Sequence, residues 1–359
     1  MPQEKNIIIK DPEAEKILAC LEAKNDFKSL RIKNLLALPD LTRTTGSPIK
    51  FLVETILKIP RFQNFDIIQV PEIVSVKDNF DLLNTPAEHP SRRETDTYYL
   101  EKDRVLRTHT TVMWPYYLTE ENKKKLGNEG EIGALCYGKV YRKDEIDRSH
   151  YPAFHQIDSF YICRKDNPVR SRPPIAGGTA TAASGRSASN GVKKIIGIPE
   201  LSEVLVDIAK NIYGPAVEYK IQEDTFPFTN PSEEVVIHWG EKWLEIVGAG
   251  GIHTQVLKNL GIDPEIYNGW AFGFGLERLA MIKMEIPDIR IFWSKDPRIT
   301  SQFKDLNSKY EPVSKYPFVS RDISFVVGND VNLNTYYEII RDRGGDLIEE
   351  LTLLDKYED

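Results

Sequence analysis

The sequence predicts an α+β fold in which an antiparallel β-sheet is flanked by helices. Two strands are predicted at 136–142 and 156–162, and the polar loop between them implies an antiparallel pair. Amphipathic helices are predicted at 48–59 and 200–213, each with its apolar residues on one face. A glycine-rich stretch at 269–281 then runs directly into a helix. Together these patterns predict the α+β class.

Local sequence signals predict the helices and the strand that precede the strand pair. Residues 12–36 predict a helical region, because apolar residues recur among charges at helical spacing. Ser47 can cap the next helix, Pro48 fits its first turn, and Pro60 ends it. Residues 65–71 predict a strand that follows this helix.

The second half of the chain contains further strands and a segment of low complexity. Strands are predicted at 218–221, 234–239 and 243–247. Residues 167–192 predict a flexible insertion, for which a solvated loop is favoured over an RNA contact. The predicted division is a short helical extension at 1–40, a main domain at 41–303 and a C-terminal module at 304–359.

Composition restricts the class of protein. A chain of 359 residues with 41% apolar and 28% charged residues is typical of soluble globular proteins. The sequence shows no apolar run of the roughly 18–20 residues that a membrane span needs. Three widely separated cysteines favour a reducing compartment, so a cytoplasmic enzyme is predicted. The net charge of −7 excludes RNA binding by bulk charge, and any RNA contact needs a local basic surface.

The glycine-rich stretch is a weak signal for a nucleotide when it is taken alone. Glycines at alternate positions let the backbone approach a flat ligand closely. Arg278 then stands at the junction of strand and helix, where helix N–H groups favour anionic oxygens.

The predicted hairpin at 140–158 strengthens that signal. Arg142, leaving one strand, can hold a phosphate, and Phe154, on the next strand, can stack on a base. Each residue also has an ordinary interpretation: Arg142 could pair with Asp144 at the surface, and Phe154 could belong to the core. The combination with Arg278 favours the nucleotide site.

These motifs resemble motifs 2 and 3 of class II aminoacyl-tRNA synthetases, and helix 48–59 with its strand resembles motif 1. Over residues 40–303 the chain resembles the phenylalanyl-tRNA synthetases in particular. The motifs that carry this resemblance are Asn79-Phe80-Asp81-Leu82-Leu83-Asn84, His89-Pro90-Ser91-Arg92, Leu106-Arg107-Thr108-His109-Thr110-Thr111, Phe154-His155-Gln156, Phe226-Pro227-Phe228-Thr229 and Trp243-Leu244-Glu245-Ile246-Val247-Gly248-Ala249-Gly250. The resemblance implies the antiparallel sheet of the class II catalytic domain.

The resemblance also implies the residues that bind ATP. Arg142 and Arg278 would bind its phosphates, and Phe154 would stack on adenine. The resemblance also assigns four residues of the motif 2 loop to the ATP site, namely Asp144, Ser149, His150 and Tyr151. Of these, Ser149, His150 and Tyr151 would also lie near the acceptor end of tRNA. Magnesium is the implied cofactor, with Glu245 as its implied ligand.

The same resemblance implies a site for L-phenylalanine. Its residues would be His109, Thr111, Gln156, Ile157, Asp158, Phe226, Phe228, Glu245, Ala271 and Phe272. Asp158 stands where the family usually has Glu, so the contact to the ammonium group could be longer or bridged by water. Trp114 stands where the family commonly has Gln; a local reshaping is favoured over loss of activity.

The side-chain pocket can also be argued physically. Phe226 and Phe228 are two residues apart on an extended segment, so both face the same side and can meet a substrate ring edge-to-face. Ala271 is small and leaves room at the para position. A pocket without a polar partner rejects tyrosine by only about 1–3 kcal/mol, so discrimination is expected to be modest.

The implied reaction needs no protein nucleophile. The carboxylate of phenylalanine attacks the α-phosphate of ATP, and phenylalanyl-adenylate and pyrophosphate form. The 2′-hydroxyl of the terminal ribose of tRNA(Phe) then attacks the adenylate and releases AMP. Two alternatives stay open: an impaired synthetase-like protein with a binding or regulatory role, and a class II synthetase for another bulky amino acid.

The C-terminal module resembles the first half of a ferredoxin-like anticodon-binding domain. The segments that carry this resemblance are 314–327, 344–349 and 353–357. Residues 301–359 hold seven basic and twelve acidic side chains, which makes them a poor electrostatic partner for RNA. A module of this type on the catalytic chain resembles the single-chain, organelle-like form. A monomer is therefore predicted, with a homodimer or a β-subunit partner left open.

Overall fold

A computed structural model gives the fold of most of the chain. It describes residues 6–101, 103–145, 147–166, 199–313, 319–328, 332–348 and 350–355. The insertion predicted at 167–192 and parts of the predicted C-terminal segments lie outside these residues.

The described residues form eleven strands. They are β1 (Asn6–Ile8), β2 (Asp66–Gln69), β3 (Ile73–Ser75), β4 (Tyr99–Glu101), β5 (Arg104–Leu106), β6 (Glu131–Tyr141), β7 (Ala153–Arg164), β8 (Tyr219–Asp224), β9 (Thr229–Trp239), β10 (Lys242–Ile252) and β11 (Tyr267–Gly275). The two strands of the predicted hairpin are confirmed as β6 and β7, and both are longer than predicted.

Ten α-helices lie in the same described part of the chain. They are α1 (Pro12–Glu22), α2 (Phe27–Ala37), α3 (Pro48–Leu57), α4 (Met113–Tyr117), α5 (Glu120–Glu129), α6 (Pro199–Tyr213), α7 (Thr254–Asn259), α8 (Leu276–Met284), α9 (Pro297–Thr300) and α10 (Leu333–Gly344). None of the helices in these residues combines the length and the apolar content that crossing a membrane requires.

Eight of the described strands form the main sheet, in the order β1-β2-β6-β7-β11-β10-β9-β8. From β6 to β8 every neighbouring pair is antiparallel, as predicted. One edge of the sheet departs from this pattern, because β2 runs parallel to β6 and β1 runs parallel to β2. The reason is that helix α3 lies between the N-terminal strand and β2, and α4 and α5 lie between β2 and β6, so the chain crosses over instead of turning in a hairpin.

The cap of helix α3 is confirmed. The hydroxyl of Ser47 accepts a hydrogen bond from the backbone N–H of Ile49, and Pro48 occupies the first turn. The helical region predicted at 12–36 is broken in the structure, because Asp26 caps a second helix at its own N-terminus. The described part of the N-terminal extension therefore contains β1 and a pair of helices.

The two faces of the main sheet are buried in different cores. Helices α3, α6 and α8 pack on one face, around Leu135, Ile157 and Phe272. The other face packs against α4 and the segment before it, and it contains Cys136 and Phe160. We call the first the helix face and the second the site face, because the predicted polar residues gather on the second.

The C-terminal helix α10 lies against α2 and against the loop that follows β6. Arg31 of α2 forms ion pairs with Glu338 and Asp342 of α10, at 2.8 and 2.5 Å. Arg341 donates a hydrogen bond of 2.9 Å to the backbone oxygen of Asp144. The described residues 319–328 form no helix or strand.

Candidate active site

Alternate residues of strand β7 point to opposite faces of the sheet, so only one set of side chains can contact a ligand on the site face. Phe154, Gln156 and Asp158 lie on the site face, and the side chains between them point to the helix face. Ile157 is fully buried in the core formed with α3, α6 and α8. The structure therefore corrects the assignment of Ile157 to the phenylalanine site, since its side chain points to the opposite face.

Strand β11 corrects a second assignment for the same reason. Ala271 lies on the site face in the core that contains Trp114 and Phe160, whereas Phe272 lies on the helix face. The ring of Phe272 packs between Phe62 and neighbouring rings of its own strand. Phe272 thus packs in the core on the helix face and does not line the predicted pocket.

Asp158 is a buried carboxylate, and its hydrogen-bond donors among the described residues are neutral. Its Oδ2 accepts a hydrogen bond of 2.7 Å from the hydroxyl of Thr111, and its Oδ1 accepts one of 3.3 Å from Trp114 Nε1. Burial raises the pKa of Asp158 to about 7, although both hydrogen bonds act to lower it. Gly273 permits this arrangement, because a Cβ there would lie 2.6 Å from Asp158 Oδ2.

The segment that carries His109 and Thr111 is fixed by two polar anchors. The amide of Asn79 donates to Thr108 Oγ1 at 2.9 Å and accepts from the N–H of Thr108 at 3.2 Å. Gln156 Oε1 accepts from the N–H of Thr110 at 3.3 Å. Gln156 thus binds the backbone of this segment, on the same side of the sheet as Asp158.

His109 is partly buried and neutral. Desolvation, together with the charge of Arg142, lowers the pKa of His109 to about 3. Its Nδ1 is buried and has no hydrogen-bond partner among the described residues. The ring lies 6.3 Å from that of Phe228, between centroids. His109 is therefore available as a neutral donor or acceptor beside the predicted pocket.

Phe226 and Phe228 form the predicted aromatic wall. Their rings are stacked with centroids 6.0 Å apart and planes 6° apart, which confirms that they face the same side. Asn84 fixes the segment by donating a hydrogen bond of 3.0 Å to the backbone oxygen of Pro227. The ring of Phe226 covers Gly248, where a Cβ would lie 2.7 Å from the ring. The ring of Phe226 thus lies directly over the main chain at Gly248, because glycine has no side chain.

Arg142 and Phe154, which are both predicted for the nucleotide end, lie in contact with each other. The guanidinium carbon of Arg142 lies 5.2 Å from the ring centroid of Phe154, within the range of a cation–π contact. Arg142 Nε donates to the backbone oxygen of Thr108 at 3.1 Å. Desolvation lowers the pKa of Arg142, partly offset by the charge of Asp144. Phe154 is half-buried and is not a residue of the described core clusters.

Arg278 and Glu245 form an open ion pair. Arg278 Nη1 lies 3.3 Å from Glu245 Oε2, with the two side chains 60% and 45% exposed. Burial raises the pKa of Glu245, and the charge of Arg278 partly counters this. Within the described residues, no group of three His, Cys, Asp or Glu side chains is placed to bind a metal ion. Glu245 is thus a single carboxylate next to the exposed side chain of Arg278.

The described part of the motif 2 loop is ordered by its own side chains. Asp147 accepts hydrogen bonds from the N–H groups of Ser149 and His150, at 2.6 and 2.8 Å. Its other oxygen lies 2.7 Å from His150 Nδ1. Ser149 and His150 are exposed, while the ring of Tyr151 stacks on Trp293 with centroids 5.4 Å apart. Tyr151 therefore anchors the loop, and the other two face solvent.

Two family models match this chain. The model of the tRNA synthetases class II core domain (F) matches residues 35–170 and 191–303, and the model of the ferredoxin-fold anticodon binding domain matches 314–359. The chain is 36% identical, over 326 residues, to the probable phenylalanine–tRNA ligase, mitochondrial, of Drosophila melanogaster, covering 83% of this chain and 69% of that protein. The chain belongs to the phenylalanine–tRNA ligase family of class II tRNA synthetases.

Other members of the family extend the comparison. The mitochondrial phenylalanine–tRNA ligase of Mus musculus is 37% identical over 312 residues, covering 84% of this chain and 66% of that protein. The phenylalanine–tRNA ligase alpha subunit of Caldicellulosiruptor bescii is 36% identical over 252 residues, covering 67% of this chain and 63% of that protein. The chain spans about two thirds of the length of these relatives.

The comparisons confirm the family, the α+β class and the enzyme class predicted from the sequence. They do not decide between a single chain and an assembly, since both mitochondrial ligases and an alpha subunit are similar to this chain. The predicted monomer therefore stays a prediction. The cytoplasmic location also stays a prediction, and the names of the two animal relatives do not support it.

The family motifs contain two supporting residues that sequence reasoning missed. The buried carboxylate of Glu277 accepts from the backbone N–H of His155 and lies 2.6 Å from His155 Nδ1. His155 Nε2 accepts a hydrogen bond of 3.0 Å from the N–H of Leu41. These contacts fasten the first turn of α8 to β7, and so place Arg278 relative to Phe154. The signal was available, because Glu277 directly precedes Arg278.

Proposed function

We propose that this phenylalanine–tRNA ligase family member joins L-phenylalanine to tRNA(Phe) through phenylalanyl-adenylate, with ATP and Mg²⁺. The observation that carries the proposal is the gathering of three features on the site face of one sheet. They are a buried carboxylate at Asp158, a stacked aromatic wall at Phe226 and Phe228, and the contact of Arg142 with Phe154. Asp158 would bind an ammonium group, the two stacked rings would bind a phenyl ring, and Arg142 with Phe154 would bind a nucleotide.

At the amino-acid end, Asp158 would receive the ammonium group. A cation beside a buried carboxylate favours its ionised form, so binding the substrate lowers the pKa of Asp158 and releases a proton where that carboxyl is protonated. The ring of phenylalanine would meet Phe226 and Phe228. Ala271, on the same face and buried, would limit the para position.

At the nucleotide end, Arg142 and Arg278 would bind the phosphates of ATP. Arg142 already covers one face of the Phe154 ring, and adenine would stack on the opposite face. Gly275 leaves open space at the start of α8, since a Cβ there meets no atom within 4 Å. The arginines would stabilise charge on the phosphates, so the acceleration would come from positioning and electrostatics.

Magnesium is compatible with this end of the site. Mg²⁺ commonly keeps several waters and binds through one or two carboxylates together with substrate phosphates. Glu245 is one such carboxylate, and its partner Arg278 is exposed enough to turn toward phosphates. When bound, the ion supplies neutralisation of the charge that develops on the phosphate oxygens.

The proposed reaction has two steps. An oxygen of the phenylalanine carboxylate forms a bond to the α-phosphorus of ATP, and the bond to pyrophosphate breaks. A ribose hydroxyl at the 3′ end of tRNA(Phe) then attacks the adenylate carbonyl, loses its proton, and AMP leaves. The exposed Ser149 and His150 lie on the loop that we propose to meet the acceptor end.

Exchange of labelled pyrophosphate into ATP tests the first step. We expect exchange with phenylalanine, weaker exchange with tyrosine, and background exchange without an amino acid. The variant Cys20→Ser, at an exposed position of α1, should behave as the parent and serves as the control. An absence of phenylalanine-dependent exchange in the folded protein would reject the proposal and favour a binding or regulatory role. Stronger exchange with another bulky amino acid would favour a different specificity.

A further inference from the structure

Trp114 occupies a position from which it touches both halves of the proposed phenylalanine site. It lies in α4, three residues after Thr111, so the two side chains share one helical face. That face is turned toward β7, where Thr111 and Trp114 each donate to a different oxygen of Asp158. Trp114 is 1% exposed, so its indole is held in place.

The other side of the indole contacts the aromatic residues. Its ring meets Phe228 in a T-shaped arrangement at 6.4 Å and Phe160 at 5.6 Å, between centroids. Phe228 is in turn stacked on Phe226. A single buried side chain thus links the carboxylate proposed for the ammonium group with the wall proposed for the phenyl ring.

The space around Asp158 is matched to the indole. A Cβ at position 273 would lie 2.6 Å from one carboxylate oxygen, so only glycine leaves room there, and the indole N–H contacts the other oxygen. A carboxylate longer by one methylene would therefore be forced against the indole or the backbone of β11. Conversely, a smaller side chain at position 114 would leave a void beside Phe160 and Phe228.

We propose that Trp114 is a positioning residue for phenylalanine, which holds the carboxylate of Asp158 at a fixed distance from the ring of Phe228. This rests on the proposed function, because the ammonium group and the phenyl ring of the substrate are what the two ends would bind. Trp114 itself need not touch the reacting atoms. It acts through Asp158 and Phe228, and its size is coupled to that of Asp158.

The variant Trp114→Phe tests the hydrogen bond while it keeps an aromatic ring. We expect the KM for phenylalanine in pyrophosphate exchange to rise roughly tenfold, the size expected for losing one hydrogen bond to a charged group. The kcat and the KM for ATP should stay within about twofold. The matched control is Trp239→Phe, since Trp239 packs on Tyr213 at the far end of β9 and has no contact with Asp158. Equal KM values in Trp114→Phe and the parent would overturn the proposal.

The pH profile supplies a measurement that simple loosening of the core would not move. Trp114 Nε1 lowers the pKa of Asp158, so its removal should shift the acidic limb of kcat/KM for phenylalanine to higher pH. Thr111 faces the carboxylate from the segment before α4, and Gly273 faces it from β11. Cys136 is the titratable group facing it from β6, and burial raises its pKa to about 11, so it stays neutral. An unshifted limb would contradict the proposal.

The size coupling is tested with three variants: Trp114→Gln, Asp158→Glu and the two combined. Each single change should raise the KM for phenylalanine at least tenfold. The combined change should return it to within about threefold of the parent, because a longer carboxylate then meets a shorter donor. A double variant whose loss equals the product of the two single losses would show that the residues act independently, and would overturn the proposal.

Folding and function are kept apart by two further measurements. Thermal unfolding of every variant shows whether the chain is folded, and Thr111→Val removes the other donor to Asp158 without changing the indole. Thr111→Val should reproduce the shift of the acidic limb while leaving Phe228 in place. If the parent protein shows no phenylalanine-dependent exchange, the proposed function fails. If the parent exchanges normally and Trp114→Phe matches it, only the role of Trp114 fails.

Discussion

The two ends of the candidate site differ in how much water reaches them. At the amino-acid end, Asp158 and Trp114 are 5% and 1% exposed, and the carboxylate is held by neutral donors. At the nucleotide end, the ion pair of Arg278 with Glu245 is open to solvent. A dry end can fix a small substrate before reaction, whereas an open end can rearrange around phosphates and admit the end of a tRNA. Variants at the two ends test this contrast.

The largest effect is expected at Arg142, which lies at the nucleotide end. Replacing it with alanine removes a preorganised positive charge from the phosphates, so we expect kcat for pyrophosphate exchange to fall roughly 10²- to 10³-fold. Arg164→Ala is the matched control, because that arginine pairs with Asp166 at the surface. A tenfold or smaller loss in Arg142→Ala would mean that the nucleotide is held elsewhere.

Asp158→Asn should separate binding from stability at the dry end. The KM for phenylalanine should rise roughly 10- to 100-fold, since a charged partner of the ammonium group is lost. Because burial raises the pKa of Asp158, the folded state binds more protons than the unfolded state between about pH 4 and 7, and stability falls as pH rises through this range.

The same variant should therefore be more stable than the parent at pH 8, by about 4 kcal/mol in the free energy of unfolding, and about equal to it at pH 4. Urea unfolding at both pH values measures this difference. If Asp158→Asn is less stable than the parent at pH 8, burial of the ionised carboxylate does not destabilise the folded chain.

The pH dependence of the parent enzyme distinguishes the two ends directly. Asp158 titrates with a pKa of about 7 in the free protein, and only its ionised form can pair with an ammonium group. We expect kcat/KM for phenylalanine to fall about tenfold per pH unit below that pKa. The KM for ATP should change much less between pH 6 and 8. Parallel changes for both substrates would contradict the contrast.

The smallest effect is expected at Ala271, which borders the dry end. Ala271→Gly removes one methyl group from the site face, so para-chlorophenylalanine should gain roughly tenfold in kcat/KM for exchange. Phenylalanine itself should change by less than threefold. If para-substituted analogues gain nothing, Ala271 does not limit the pocket.

Much of the fold and of the site was predictable, because period-two and helical patterns are local. The cap at Ser47, the pairing of β6 with β7 and the stacking of Phe226 on Phe228 all follow from short stretches of sequence. The parallel edge formed by β2 was not predictable in this way, since strand direction depends on where the chain returns after helices.

The errors within the site have a single physical cause. Ile157 and Phe272 were assigned to the pocket because they stand between residues of family motifs, but alternate residues of a strand face opposite sides. The contact of Trp114 with Asp158 joins positions 44 residues apart in sequence, and only the packing of α4 on β7 reveals it. The sequence singled out each of the two residues separately as a departure from the family.

Quantifying the adenylate that forms on the enzyme tests the central claim most directly. Purified protein is mixed with ATP, Mg²⁺, pyrophosphatase and radiolabelled phenylalanine, without tRNA, and the label that stays with the protein is counted after rapid gel filtration. The account predicts close to one ATP-dependent phenylalanyl-adenylate for each active chain, lost in Arg142→Ala and regained at high phenylalanine concentration in Asp158→Asn. Binding of phenylalanine without any ATP-dependent adenylate would contradict it.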